Sequence, residues 1–133
     1  MEPQINADER RSRLAGITQK TIGCAFEVAN KLGCGFLEKV YENALAHEIR
    51  KQSFAVQQQF PVAVGYDGVV VGDYVADLRV EGCVLVELKA VKELDDIHAA
   101  QCMNYLKATG LKVCRLINFG KPRVDIKRFV NKY

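Results

Sequence analysis

Near Phe54 the hydrophobic period of this chain changes from 3.6 to 2, and that switch restricts the fold more than any other feature. Before it, Ile22, Ala25, Phe26, Ala29 and Leu32 make one amphipathic stripe, with Thr18 or Thr21 as candidate caps and Gly33-Cys34-Gly35 as a stop. Leu37, Val40, Tyr41, Ala44, Leu45 and Ile49 make a second stripe immediately after the glycine corner. After the switch, Ala55–Tyr66 reads as a strand in which Pro61 argues for an edge or a bulge. Asp67-Gly68 is a two-residue hairpin signal, Val69–Val80 the returning strand and Cys83–Lys89 a third. Asp95–Thr109 is helical and stops at Gly110, Lys112–Phe119 is a fourth strand, and Val124, Ile126 and Val130 suggest a last extended piece. The predicted order, α-αβββαβ plus a tail, is an α/β fold with a mixed four-stranded sheet flanked by helices. Polar residues 1–13 read as a flexible arm and 14–133 as a single domain.

Composition matters chiefly for what it excludes. With 133 residues, 49% hydrophobic and 26% charged, the chain is neither disordered nor long enough for several domains. No apolar run can span a bilayer and no signal segment opens the chain, so a cytoplasmic protein without a membrane partner is expected. Five cysteines, odd in number and without a CxxC pair, exclude a disulfide framework and a cysteine-based redox enzyme. Lys107 to Tyr133 holds eight basic residues and one acid, a net +7 in a chain of +3. A basic end on an acidic body suits a polyanion such as nucleic acid, although a solvated lysine-rich surface has the same composition.

The chemistry gathers in Asp77–Lys89. A two-residue turn at 81–82 would put Val84, Val86 and Leu88 on the opposite face from Val80, because a one-residue slip inverts every side chain. A three-residue loop, 81–83, pairs Val80 with Val84 and aligns the apolar faces, Tyr74, Ala76, Leu78 and Val80 against Val84, Val86 and Leu88. Asp77 then stands opposite Glu87, with Lys89 two residues along. Directly opposed carboxylates repel unless a cation lies between them, and such a hard oxygen set suits Mg²⁺ or Mn²⁺. The same residues could instead be a cross-strand Lys–Glu pair with Asp77 exposed. On the following helix, His98, Gln101 and Tyr105 share one seam, either contacting a phosphate or the lysine or forming a satisfied buried polar pair. Glu38 opens the second helix, where it either extends the acidic cluster or only complements the helix dipole; Glu27 is a weaker acidic candidate.

Three pieces in this order resemble one known pattern. Gly35, Glu38 and Tyr41 match a GxxExxY signature, Asp77 with Glu87-Leu-Lys89 resembles a D…(D/E)xK core, and Gln101 with Tyr105 looks like a QxxxY motif. From about Ile17 to Val130 the chain resembles the GxxExxY family of the PD-(D/E)XK nuclease superfamily, with Ala76 where the motif has proline. The resemblance implies a restriction-endonuclease-like core. It also implies Mg²⁺ or Mn²⁺ ligation by Asp77 and Glu87 with help from Glu38, Lys89 as catalytic lysine, and Gln101 and Tyr105 as supporting catalytic residues. The function expected is a metal-dependent phosphodiesterase (nuclease) acting on nucleic acid, with DNA as the first expectation and RNA as the second. The alternative is a catalytically inactive nuclease-fold module that binds nucleic acid or a protein. Lacking a helix-turn-helix or stacking motif for base readout, so small a nuclease would need a homodimer or a partner protein.

Overall fold

The computed structural model describes residues 6–131. Its elements are α1 (Ala7–Leu32), α2 (Glu38–Lys51), β1 (Val56–Tyr66), β2 (Val69–Val80), β3 (Val84–Lys89), α3 (Asp96–Thr109), β4 (Val113–Asn118) and β5 (Asp125–Val130). The strands lie in the order β1-β2-β3-β4-β5, antiparallel except for the parallel β3–β4 pair that α3 connects. The α/β class and the mixed sheet are as expected from sequence. The sheet has five strands rather than four, because residues 125–130 complete a ladder on the free edge of β4. Pro61 lies on the edge strand β1, where its missing N–H costs no ladder bond on the open side.

The helices differ in detail from the sequence reading. Asn6 caps α1 by accepting from the Glu9 N–H at 2.8 Å, so residues 7–13, expected to be an arm, form its first turns; residues 1–5 lie outside the described residues. Thr21 is not a cap: its hydroxyl is buried and donates to the Ile17 carbonyl. The buried face of α1 runs through Ile17, Thr21, Cys24, Ala25 and Val28, leaving Phe26 exposed. On α2, Tyr41, Leu45 and Ile49 are buried as expected, but Leu37 and Val40 are exposed and Glu42 is buried in their place. A stripe of aliphatic residues gives only the approximate direction of a helix face, and here the acidic residue turned inward.

α1 and α2 cover one face of the sheet, packing on Leu78, Val80, Val84, Val86, Leu88, Val113 and Ile117. α3 covers the other, packing on Val62, Ala76, Leu85, Cys114 and Leu116. Ala76 and Leu78 therefore serve opposite layers, although two residues apart in one strand. The expected continuous face Tyr74–Val80 breaks at Asp77, and Tyr74 is half exposed against Tyr105. β1 breaks in step: Val56 packs with the α1–α2 layer and Phe60 and Val62 with the α3 layer. Between them Gln59 takes a left-handed backbone, φ 56°. Asp67 and Gly68 close the hairpin with φ values of 52° and 76°, as an Asp-Gly turn of the primed type requires. Residues 81–83 form the three-residue loop, with Val80 opposite Val84.

At the end of β4 the side chain of Asn118 brackets the loop after β3. It accepts from the N–H groups of Val91 and Gly120 (both 3.0 Å) and donates to the Val91 carbonyl (2.9 Å). Gly120 lies so close to this loop that a Cβ would press on the backbone of Ala90 and Val91. Since the obstacle is backbone, Gly120→Ala is expected to destabilise the fold by about 2 kcal/mol or more in denaturant melts. A variant as stable as the parent would refute this packing.

Candidate acidic site at a strand fork

β2 and β3 pair only from Leu78–Val80 to Val84–Val86 and then part. Where the ladder ends, two side chains replace it. The Asp77 N–H donates to Glu87 Oε1 at 2.9 Å, and the Leu88 N–H donates to Asp77 Oδ2 at 2.8 Å. Each carboxylate thus satisfies a backbone donor on the other's side of the fork, a geometry that no uncharged apolar pair could supply. This is the juxtaposition expected from the register argument, reached through side chains where the ladder itself has stopped. Asp77 Oδ1 and Glu87 Oε2 are the oxygens these two bonds leave unused.

Burial dominates the electrostatics. Glu87 is only 3% exposed; burial first, and the Asp77 charge second, push its pKa up to about 8. Asp77 is also raised, by burial most of all; the Leu88 N–H pulls it back, and the charges of Glu42 and Glu38 push it further up. Lys89, half-buried at the tip of β3, favours ionisation of both carboxylates without a direct ion pair to either among the described residues. Glu38, in the exposed first turn of α2, acts on both through space.

The remaining candidates take different places. The Tyr105 hydroxyl accepts from Gln101 Nε2 at 3.1 Å and leans on the Val75 carbonyl at 3.4 Å, so this pair ties α3 to the backbone two residues before Asp77. Burial, then the Glu87 charge, push the Tyr105 pKa up to about 12, which keeps it a hydrogen-bond donor. Gln101 reaches neither the acids nor Lys89; it and Tyr105 also wall a cleft of about 640 Å³ between α3 and the β1–β2 hairpin. His98 turns to the helix start, where its Nδ1 accepts from the Asp95 N–H in a capping box. Tyr41 is fully buried: its hydroxyl donates to the Gly33 carbonyl at 2.6 Å and accepts from the Phe36 N–H. Glu27 pairs with Lys31 on the surface of α1. The basic residues do not converge here either; Lys121, for one, pairs with Glu93.

Sequence reasoning missed Glu42 and Gln59. Buried Glu42 accepts from Gln58 and Gln59 (both 2.6 Å) and pairs with Lys39 at 2.9 Å. Gln59 stands in register opposite Asp77, flanked by the Gln58–Leu78 and Phe60–Ala76 pairs, and its bond to Glu42 offsets its left-handed backbone. The available signal was the spacing of Glu38 and Glu42, one turn apart on the same helical edge.

A buried carboxyl group, Glu87, and a half-buried one, Asp77, each with an oxygen left over and a pKa raised by burial, fit a hard divalent cation that keeps several waters. The expected third ligand does not join them: among the described residues, no three His, Cys, Asp or Glu side chains gather closely enough to enclose an ion, and Glu38 stands apart.

A mixed sheet between helical layers, with an acid pair at a strand fork and a lysine two residues on, defines a nuclease-type α/β protein. The family model of the PD-(D/E)XK nuclease superfamily matches residues 15–129, and the chain belongs to that superfamily. Among solved structures it is similar to an alkaline exonuclease from Laribacter hongkongensis, at 14% identity and a TM-score of 0.52, over 97% of this chain and 73% of that one. That likeness is one of fold. No curated protein matches the sequence.

The raised pKa of Glu87 fixes a pH dependence. From its ordinary value of 4.5 up to about 8, the unfolded chain is ionised while the native side chain keeps its proton. The native state then binds more protons, so stability falls as pH rises through this window, by about 2–4 kcal/mol for the metal-free protein. Glu87→Gln should flatten the dependence in denaturant melts, and a slope unchanged by that substitution would contradict the assignment.

Proposed function

We propose that the protein is a Mg²⁺- or Mn²⁺-dependent nuclease of the GxxExxY group that hydrolyses phosphodiester bonds of nucleic acid, DNA first, at the fork between β2 and β3. The observation that carries the reading is the reciprocal bonding of Asp77 and Glu87, which leaves one oxygen of each acid uncommitted within the electrostatic reach of Lys89. Asp77 and Glu87 would hold the ion, with Glu38 assisting from α2 across water. A divalent ion bound there supplies an acidified water and neutralises charge on the phosphate. Lys89 donates to a non-bridging phosphate oxygen and offsets the negative charge that grows there during attack. Its neighbours keep it aimed: Phe119 N–H donates to the Lys89 carbonyl at 2.8 Å, and Asn118 fixes the loop that follows. Gln101 and Tyr105 act as positioning residues, holding the β2 backbone through Val75. The extended β1–β2 hairpin, with exposed Tyr66, Val69, Val70 and Val71, is the surface through which a second copy or partner protein would add specificity. A cytoplasmic location belongs to this proposal; of the membrane, the described residues show only that none of their helices is long and apolar enough to cross one.

The test is cleavage of labelled DNA and RNA by purified protein with Mg²⁺, Mn²⁺ or chelator. Metal-dependent cutting is expected, and Lys89→Ala, Asp77→Asn and Glu87→Gln should each lower it about 100-fold or more. Cutting by all three variants at the parental rate would defeat the assignment. Metal-independent binding without cutting would make the protein an inactive module on the same fold.

A further inference from the structure

On the sheet face opposite Glu87, the ladder between β4 and β5 sets Arg115 directly against Arg128. Two guanidinium groups in cross-strand register repel each other, and a fold tolerates this where something negative sits between them. Neither has an ion pair among the described residues, and Arg115 Nε is buried with no hydrogen-bond partner at all. Burial and the neighbouring Arg128 charge depress the Arg115 pKa, which agrees with a cation lacking its counter-ion. A concavity of about 420 Å³ opens over the pair, and the first half of α1 closes it with Arg11, Thr18 and Gln19. Arg11 is only lightly engaged, 3.6 Å from Asp8 in an exposed pair. The wall thus carries three guanidinium groups and no carboxylate.

We propose that this concavity is a phosphate-binding site separate from the acidic fork. The chemistry selects phosphate: planar guanidinium forks match its oxygens in pairs, its tetrahedral oxygens can be shared between two forks where a planar carboxylate presents one edge, and a free phosphate dianion would in addition neutralise both cations. The site lies apart from the fork because Arg115, although opposite Val86 in the ladder, shares the Val113–Ile117 face of the sheet, whereas Glu87 lies on that of Leu85. A phosphate here is bound and not cleaved. Its source is either the backbone of a nucleic-acid strand that continues past the catalytic face or a free phosphate group.

The proposal does not rest on the nuclease reading and is tested with chelator present, on residues of the sheet face opposite Glu87. Inorganic phosphate is titrated into the full chain at fixed ionic strength, with acetate as control, followed by calorimetry and by the Nε–Hε resonance of Arg115. Saturable binding and a shifted resonance are expected, with affinity falling roughly tenfold or more in Arg128→Gln and in Arg115→Gln. Arg128 is exposed, so its substitution leaves the core intact, and without phosphate it should raise Tm by removing the repulsion. A labelled oligonucleotide separates the two sources. Weaker binding and a salt slope reduced by about one in Arg128→Gln assign the site to a strand; oligonucleotide binding that does not move assigns it to a free phosphate group. Equal phosphate binding by parent and both variants, or equal binding of acetate, overturns the site.

Discussion

The pair of bonds that Asp77 and Glu87 exchange with the main chain governs most of what is distinctive in this molecule. A sheet that parts between two strands leaves N–H groups without partners, and inside a protein each such group is costly. Here the carboxylates supply the missing acceptors, so the acids are structural components of the fork before they are anything else. The arrangement also explains why the carboxylates tolerate burial. Their charge is disfavoured by desolvation, and the hydrogen bonds recover part of that loss on the side that faces protein. The other side retains an unmet demand for positive charge, which is the physical content of the site.

The fork also dictates the backbone around it. At the level of Asp77 the hairpin changes the layer it serves, Ala76 facing α3 and Leu78 facing α1 and α2, and β1 can follow only if Gln59 adopts a conformation that most side chains avoid. Glu42 compensates from α2 by accepting from Gln58 and Gln59 together. Acid pair, twisted hairpin and buried helix acid are therefore one connected feature, and the strain lies beside the candidate chemistry rather than elsewhere in the sheet.

How much of this could be read in the chain depended on the range of the interaction. Period, turn residues and caps are local, so the α-αβββαβ order, the Asp67-Gly68 turn and the loop at 81–83 were legible, and the loop carried the Asp77–Glu87 juxtaposition with it. Burial of Glu42 and the left-handed Gln59 were not, because both follow from contacts between α2 and β1; the spacing of Glu38 and Glu42 marks a shared helical edge but not which of the two turns inward. The third metal ligand was inferred from a helix start, yet Glu38 stays exposed because Leu37 and Val40 turn outward with it. The fifth strand was legible only as an apolar tail, since pairing with β4 is a property of the sheet edge. The basic tail was legible only as composition; pairing of β4 with β5 sets Arg128 opposite Arg115 and Lys127 opposite Leu116, on the two faces of the sheet.

Tyr41 unites elements that lie far apart in the chain. Its hydroxyl closes the glycine corner at Gly33, while its ring lies flat on Phe119, 4.7 Å between centroids and 2° from parallel. The amide of Phe119 in turn holds the carbonyl of Lys89. A continuous run of contacts therefore links the corner that precedes α2 to the strand tip that bears the lysine, so the backbones that carry Glu38 and Lys89 are braced by one ring stack.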